Sequence, residues 1–326
     1  MGEVGERPVF RAADDGFHFD DLGDDWWATE TSWFSFHHPE RGLGGWLYTL
    51  ARPNIGTVAG GLWVWDDRAV LPWEVLYCSN YTALHLPRDT DLTDTVLPTG
   101  VGIKVLEPTR RYALNYEDAG RVSLRLTFDA VMEPEPMTSV NSTFGKARHF
   151  DQFGRVTGTL EIHGEHVEID CIAARDRTWG RRREDRPRKA AYVTGAGDER
   201  SGFLAVTHPE PHREGVAYGF LRRDGVNAPL VDGERRVARD PVEGWITEIE
   251  LDLVDARGRT LRLVGRPASR TIINRHTFID VNSLVRWESS DGVAWGEDQD
   301  MWPVHDWAAD ARRRRAKRRT VNADER

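Results

Sequence analysis

The segment ARDRTWGRR, residues 174–182, places a carboxyl group among arginines at the end of a run of alternating apolar and polar residues. Successive side chains of a strand point to opposite faces, so Asp176 lies on one face and its neighbours Arg175 and Arg177 on the other. If Asp176 and Trp179 face inward, apolar surroundings raise the pKa of the carboxyl and suit it to general acid catalysis, whereas an inward arginine lowers it. The alternative is a structural ion-pair network that closes the end of a barrel.

Two histidines are candidate partners of Asp176. His37 and His38 are adjacent in FHHPE, and adjacent strand residues face opposite ways, so they are poorly placed to bind one metal ion, and we expect no metal site. His37, facing a tryptophan-lined cavity, or His149, just before FDQFG, could act as an acid or a base. For both, the competing interpretation is a hydrogen-bonded structural role.

Tryptophan is unusually abundant, with 13 in 326 residues. Those in the first quarter of the chain are Trp26, Trp27, Trp33, Trp46, Trp63, Trp65 and Trp73. Tryptophan packs cores, but it also lines cavities for apolar ligands and attracts cations to its ring face. The residues expected to bind a hydrophobic substrate are Trp33, Trp63, Trp65 and Trp179. Trp33 and Trp179 would stabilise developing positive charge, and core packing is the alternative for all four.

The segments that position these residues have the pattern of strands. In RVSLRLTFDAV, residues 121–131, every second residue is apolar. GRVTGTLEI and HVEIDCIA flank the turn at residues 163–165 and predict a hairpin, and residues 245–267 and 280–302 predict two more. GLWVWDD and WEVLYCSNYTALHLP are strand-like too. Consecutive hairpins predict a meander of antiparallel strands that must curl or close, so we predict an all-β fold.

Familiar cofactor signatures do not occur: there is no GxGxxG after a strand, no GxxxxGK(S/T), no HExxH and no GxSxG. GLGG, residues 42–45, precedes a strand-like run and is interpreted as a turn, not a phosphate cradle. Glu297 and Asp298 in WGEDQD form a second acid pair, which is interpreted as solvated turn residues. We therefore expect no cofactor.

The net charge of -9 argues against a general nucleic-acid binder, which needs a basic surface. ARRRRAKRRTVNADER, residues 311–326, is the exception, interpreted as a solvated tail or helix end, with anion or RNA contact as the alternative. Cys78 and Cys171, without a CxxC motif, indicate a reducing compartment. With neither a signal peptide nor an apolar run long enough to span a membrane, we expect a cytoplasmic protein.

Three motifs resemble those of a known superfamily. RDRTWGRR resembles the RDHSWG-x-R signature of the AttH-like and carotenoid 1,2-hydratase (hydroxyneurosporene synthase) lipocalin-like proteins, which also resemble fungal lipocalin-like Diels-Alderases. WFSFHHPERGLGGWLYTLARPNIGTVAGGLWVWD and HFDQFGRVTG resemble the start and the central segment of an uncharacterised bacterial branch. The resemblance covers roughly residues 25–305. It implies tandem lipocalin-like (calycin) antiparallel β-barrels: residues 15–170, residues 171–307, and a basic tail at 308–326.

The resemblance also implies chemistry without a redox cofactor, either water addition to an alkene or pericyclic ring closure, at a hydrophobic ligand site. Trp179 matches the tryptophan of the family's DH-x-W motif, but Arg177 stands where that motif has histidine. Arginine does not shuttle protons at neutral pH, although it binds a carboxylate, a phosphate or an enolate. Arg177 is therefore expected to orient a polar end of the substrate.

These observations lead to two main functional hypotheses. The first is a cofactor-independent lyase or hydratase, or an isomerase or cyclase, acting on a terpenoid-like or polycyclic substrate, with Asp176 as general acid and His149 or His37 as its partner. The second is a non-catalytic carrier of a hydrophobic metabolite. A third is an interaction protein that uses the basic tail. An aromatic-rich surface would also allow a homodimer.

Overall fold

The structure, a computed structural model, describes residues 9–19, 23–137, 147–183, 187–275 and 277–324. Strands account for 65% of the chain and helices for 9%, and the predicted all-β fold of lipocalin-like barrels is confirmed. Two compact units are present, Met1–Arg183 with Asp198–Ser201, and Glu184–Gly197 with Gly202–Arg326. In the part of the chain described, no helix is long and apolar enough to cross a membrane.

The first unit is built on one antiparallel sheet. Its strands are β1 (Ala28–His38), β2 (Leu43–Arg52), β3 (Thr57–Trp65), β4 (Tyr77–His85), β5 (Asp94–Val96), β6 (Gly102–Glu107), β7 (Arg111–Asp118), β8 (Val122–Ala130), β9 (Glu135–Pro136), β10 (Arg148–Ile162) and β11 (Glu165–Arg181). Short 3-10 helices cover Ala12–Asp15, Pro39–Arg41 and Pro53–Ile55. The strand order is β4-β3-β2-β1-β11-β10-β8-β7-β6-β5, with β9 on β10. The sheet curls around a core to which both β1–β3 and β6–β8 contribute apolar side chains.

The predicted hairpins are present, and they explain where the first unit ends. β10 pairs with β11 along the whole length of β10, around a turn in which His163 and Gly164 have φ angles of 51° and 79°. Such positive angles are typical of two-residue hairpin turns. β11 continues to Arg181 because its last residues pair with β1. The division between units therefore lies at residues 183 and 184, later in the chain than the boundary expected at 170 and 171.

Strands β1, β2 and β3 are buried along nearly their whole length, so the sheet has two covered faces here. Phe34 and Leu47 point to one face and join the core of the unit. Because side chains alternate, Trp33, Trp46 and Trp63 lie on the opposite face. This second face carries most of the residues expected to do chemistry.

Glycines in β2 let an aromatic ring pack against each face of the strand. A Cβ atom at Gly44 would lie 2.4 Å from Cζ2 of Trp65, and one at Gly45 would lie 2.1 Å from Cζ of Phe36. The turn expected from GLGG is confined to its start, where Gly42 follows a 3-10 helix with a left-handed φ of 59°. The later glycines belong to the strand.

We expect Gly45→Ala to lower the free energy of unfolding by about 1–3 kcal/mol, the usual effect of overpacking, because the Phe36 ring would have to move. Urea unfolding measures the loss. Gly16→Ala is the matched control, because its nearest neighbouring atom would be 3.5 Å away. Equal losses in the two variants would contradict the packing explanation.

The second unit is a closed antiparallel barrel whose strands follow chain order. They are β12 (Ala190–Asp198), β13 (Ser201–Pro209), β14 (Glu214–Arg223), β15 (Val226–Arg239), β16 (Ile246–Asp255), β17 (Thr260–Arg275), β18 (Phe278–Ser289) and β19 (Gly292–Pro303). The interpretation of Glu297 and Asp298 as solvated turn residues was wrong, because both are buried inside β19. The turn of this last hairpin lies between Ser289 and Gly292.

The basic tail forms part of a helix, α1 (Val304–Asp324), which directly follows β19. The indole ring of Trp307 stacks on Trp245 at 5.7 Å and meets Trp302 edge-on at 5.6 Å, so the first turns of the helix are anchored on the barrel. Residues 325 and 326 of the predicted tail lie outside the described residues.

Candidate active site

A polar group lies at the centre of the first sheet, where β11 runs between β1 and β10. Asp176 of β11 pairs in register with Trp33 of β1 and with Asp151 of β10. Two residues further along, Thr178 pairs with His149. Side chains in register share a face with Cβ atoms about 4.5–5.5 Å apart. We call this surface the tryptophan face, defined by Trp33, Trp46, Trp63, Trp65, His149, Asp151, Asp176 and Thr178.

His149 is the most strongly positioned of these residues. Its Nε2 lies 2.9 Å from Oδ1 of Asp151, and its Nδ1 lies 2.7 Å from Oγ1 of Thr178. The side chains of His149 and Asp151 are both fully shielded from solvent. His149 and Asp151 are two residues apart in a strand, so both project from the same face.

The electrostatics favour the imidazolium form of His149. Burial lowers the pKa of His149, but the negative charges of Asp151 and Asp176 outweigh burial and hold the pKa above its ordinary value. His149 therefore keeps its second proton to a higher pH than an exposed histidine does. A protonated imidazole next to carboxylates is a suitable proton donor for a buried substrate.

We expect NMR titration to find the pKa of His149 above that of an ordinary histidine, and lower again in the Asp151→Asn variant, because the variant removes the nearest negative charge. The Cε1–H resonance of the ring reports the titration. His166, an exposed histidine on β11, serves as an internal reference whose pKa should not respond to the substitution. An unchanged His149 pKa in the variant would contradict the assigned pairing.

Asp176, the second carboxyl residue of this group, is partly accessible to solvent, although its Oδ1 atom is shielded. Its charge acts on His149, so the two groups are electrostatically coupled. Of the three predicted catalytic residues, the structure brings Asp176 and His149 together. Because the site combines an imidazole whose pKa is raised with two carboxyl groups, it can both donate and accept a proton.

His37 lies on the same face but apart from this group. It is four residues from Trp33 in β1, a separation of roughly 13 Å along a strand. Burial, and then the charge of His38, lower the pKa of His37 to about 4. His37 is therefore neutral at physiological pH. Within the described ranges, no three His, Cys, Asp or Glu side chains come together as metal ligands.

The tryptophans of this face form an indole cluster. Trp33 meets Trp46 edge-on with ring centroids 5.5 Å apart, and Trp46 meets both Trp63 and Trp65 at 6.4 Å. All four are almost fully buried. The cluster thus provides an apolar wall beside the carboxylates and the imidazole.

Arg177 and Trp179, in contrast, lie on the opposite face of β11. Asp176 and Trp179 are three residues apart in an unbroken register, so they point to opposite sides and cannot both face the same cavity. Arg177 is buried in an ion pair with Glu30 and donates to three backbone carbonyls. The indole of Trp179 stacks on the ring of His18, 4.5 Å away and nearly parallel.

The carboxylate of Glu30 balances the positive charge of Arg177, so this group can be buried in the core. Burial raises the pKa of Glu30, but Arg177 and His18 outweigh burial and hold it below its ordinary value. Arg177 is therefore committed to a partner within the protein. This arrangement corresponds to the structural ion-pair network that the sequence left open as an alternative.

Sequence reasoning missed three residues of the tryptophan face: Asp151, Thr178 and Trp46. Asp151 could have been found from the spacing His-x-Asp within a predicted strand, because this spacing places both side chains on one face. Thr178 could not have been found from the sequence, because its contact with His149 depends on the register between β10 and β11.

Comparisons with known proteins agree with this architecture. A family model described as a domain of unknown function, DUF7064, matches residues 11–300. No curated protein matches the chain. Kievitone hydratase from Nectria haematococca superposes with a TM-score of 0.57 at 12% identity, over 92% of this chain and 95% of that chain.

Two further solved structures are similar. An AttH-like protein of Nitrosomonas europaea has a TM-score of 0.51 at 13% identity, over 92% of this chain and 99% of that one. CghA in complex with Sch210972 has a TM-score of 0.52 at 13% identity, over 83% of this chain and 86% of that one. At these identities the likeness concerns the fold alone, and the lipocalin-like fold that the sequence resemblance implied is confirmed.

Proposed function

The chain belongs to the DUF7064 family, a domain of unknown function, and we propose that it catalyses a hydratase, lyase, isomerase or cyclase reaction on a hydrophobic substrate by general acid–base chemistry. One observation carries the proposal. His149, bonded to Asp151 and Thr178, shares a shielded, tryptophan-lined face with Asp176. An apolar wall with a preorganised acid and base is what proton transfer to a hydrophobic molecule requires.

His149 is the proposed acid. Asp151 orients the ring through Nε2 and stabilises the imidazolium form. Both ring nitrogens already have partners, so the proton would leave through Thr178. The hydroxyl of Thr178 donates its hydrogen to the substrate and receives one from Nδ1 of His149. The raised pKa of His149 supports this role, which the sequence pattern suggested for Asp176.

Asp176 is the proposed base. In a hydration, one alkene carbon gains the proton, the other forms a bond to the oxygen of water, and that water loses a proton to Asp176. The net change is addition of one water, and elimination is the same sequence in reverse. The rings of Trp33 and Trp46 would stabilise positive charge on the intermediate carbon by about 0.5–2 kcal/mol.

The names of similar structures support this class of reaction. One neighbour in fold is called a hydratase, and another was solved with the small molecule Sch210972. A second candidate, a carrier of a hydrophobic molecule, is favoured by the cluster of edge-to-face indole rings formed by Trp33, Trp46, Trp63 and Trp65. A carrier needs the apolar wall but not the proton donor.

An isotope experiment separates these two functions. Compounds that co-purify with the protein are extracted, identified by mass spectrometry and returned to it in D2O, together with a panel of terpenoid alkenes and polycyclic enones. An enzyme of the proposed class changes a compound's mass by one water or introduces deuterium into a C–H bond. A protein that binds these compounds but returns every one unchanged and undeuterated is a carrier, and the catalytic proposal fails.

A further inference from the structure

A buried arginine lies among aromatic rings on the core face of the first unit. Arg175 is 1% exposed, and the central carbon of its guanidinium lies 4.1 Å from the ring centroid of Tyr112 and 5.0 Å from that of Phe150. The rings of Phe34 and Phe128 lie at 5.2 and 6.0 Å. We call these five residues the aromatic box. All of them belong to the first unit, and Arg175 projects from the opposite side of β11 to Asp176.

The hydrogen bonding of Arg175 is incomplete. Among the described residues, its Nε and Nη1 are buried without a hydrogen-bond partner, and its Nη2 lies 3.5 Å from Oδ1 of Asp15. Gln152, which pairs in register with Arg175, has a buried Oε1 in the same state. Arginine is almost never fully buried unless it is well paired, so the box indicates a place for a further hydrogen-bonding group.

Asp15 enters the box from a segment that we call the N-terminal strap, residues 9–15. Its Oδ1 accepts a hydrogen bond from the phenol of Tyr112 at 2.6 Å, and its Oδ2 accepts one from the backbone N–H of Thr109, also at 2.6 Å. Burial raises the pKa of Tyr112, so the phenol keeps its proton and remains a donor. Together with Arg175, these two donors are suited to binding a carboxylate.

Two side chains anchor the strap on the box. One is Asp15, and the other is Phe10, whose ring packs on that of Phe150 with centroids 4.6 Å apart. Residues 11–13 between them are exposed. The chain is fixed again just after the strap, where Arg177 donates to the carbonyl of Gly16 at 2.6 Å. A short, largely exposed segment of this kind can open locally at low free-energy cost while the rest of the unit stays folded.

We infer that the aromatic box is a binding site for an aromatic carboxylate, and that the strap occupies the site when no such ligand is bound. The strap brings one carboxylate and one aromatic ring to the box, and a ligand that replaces the strap needs the same two groups. Its carboxylate would take the place of Asp15 on Tyr112 and Thr109, and its ring the place of Phe10.

The exchange keeps the charge of the box balanced. The carboxylate of Asp15 moves into water as that of the ligand arrives, so Arg175 retains a counter-charge. A ligand carboxylate is not constrained by the strap and can approach the guanidinium closely enough for a bidentate pair, in which Nη2 acts together with Nε or Nη1. The box lies on the opposite face of the sheet from His149 and Asp176, so the inference does not depend on the proposed function.

A matched pair of probes tests the site. Phenylacetate has the carboxylate and the ring, and phenylacetamide has the same shape without the charge. NMR titration of the full chain is expected to show that phenylacetate binds at least about 10-fold more tightly, because only the acid pairs with Arg175. Equal affinities for the two compounds, or no binding of either, would show that Asp15 is a permanent structural partner of the box, and the inference fails.

Variants of the strap test the competition. Asp15→Asn should raise the affinity for phenylacetate by at least about 10-fold, because the competing internal charge is removed and the open form is more populated. Phe10→Ala should raise it as well, and this variant leaves every charge of the box in place. Asp14→Asn is the matched control, because Asp14 contacts His18 rather than the box. Affinities that stay at the parent value in both Asp15→Asn and Phe10→Ala would contradict the inference.

Proteolysis reports whether the strap leaves the box. Trypsin cleavage after Arg11, which is exposed, is followed by mass spectrometry of the released peptide. Phenylacetate should accelerate this cleavage, because a released strap fits the protease more readily, whereas phenylacetamide at the same concentration should not. If phenylacetate binds without changing the cleavage rate, the strap stays in place and the proposed exchange is overturned.

Discussion

Arg235→Met is expected to destabilise the second barrel by about 3–5 kcal/mol, because it leaves buried carboxylates without their counter-charge. Nε and Nη2 of Arg235 donate to the two oxygens of Asp298, each at 2.8 Å, and Nη1 donates to Glu214 at 2.7 Å. Asp300 lies 3.7 Å from the same guanidinium. Burial lowers the pKa of Arg235, but these carboxylates outweigh burial and raise it, so the arginine remains charged.

Arg236→Met is the matched control. Arg236 is adjacent in the sequence and also contacts three carboxylates, Glu234, Glu250 and Asp252, but its side chain is 42% exposed. Exposed ion pairs contribute about 0–1 kcal/mol, so this variant should unfold at nearly the same urea concentration as the parent protein. Urea unfolding followed by circular dichroism measures both variants. Similar losses of stability in the two variants would show that burial does not determine how much the ion pairs of Arg235 stabilise the barrel.

The stability that is lost in the Arg235→Met variant should depend on pH. Burial raises the pKa of Asp298 despite the opposing effect of Arg235. A carboxyl group whose pKa is higher in the folded state stabilises the fold below its unfolded pKa, and this contribution is lost as pH rises through the folded pKa. Removing Arg235 raises the pKa of Asp298 further. The variant should therefore lose more stability at about pH 8 than at about pH 5.

Asp176→Asn is expected to reduce turnover by at least about 100-fold while leaving substrate affinity nearly unchanged, because the amide keeps the shape of the side chain but cannot accept the proton. Asp170→Asn is the control, with the same substitution on the same strand at an exposed ion pair with Arg155. Rates and substrate dissociation constants are measured for both, with the compound found active in D2O. Unchanged turnover in Asp176→Asn would remove Asp176 from the mechanism.

His149→Gln should produce a loss of the same order, because the glutamine side chain cannot supply the proton that Thr178 passes on. His166→Gln is its control, because His166 is also held between carboxylates, Glu161 and Glu168, but on the exposed part of the hairpin. If Asp176 alone carries out the proton transfers, the His149→Gln variant will retain activity. That result would return the acid role to Asp176.

Much of the fold could be predicted because strand formation is encoded locally. The alternation of Val122, Leu124, Leu126 and Phe128 and the short turn at His163 and Gly164 determine strands and hairpins from a few consecutive residues. The same period of two places Asp176 and Arg177 on opposite faces of their strand from their positions in the chain alone. It also rules out a shared face for Asp176 and Trp179, which the hypothesis of a common cavity overlooked.

The partners of the charged residues could not be predicted in this way. Arg177 is equally plausible as a substrate ligand or as a core residue until Glu30, 147 positions earlier, is found beside it. Asp298 looks like a turn residue until Arg235, 63 positions away, reaches it inside the barrel. The sequence by itself determined which residues alternate and where strands turn, because these depend on local backbone geometry. Only the tertiary structure decided which face is shielded and which charges meet there, because pairing between distant strands depends on the packing of the whole sheet.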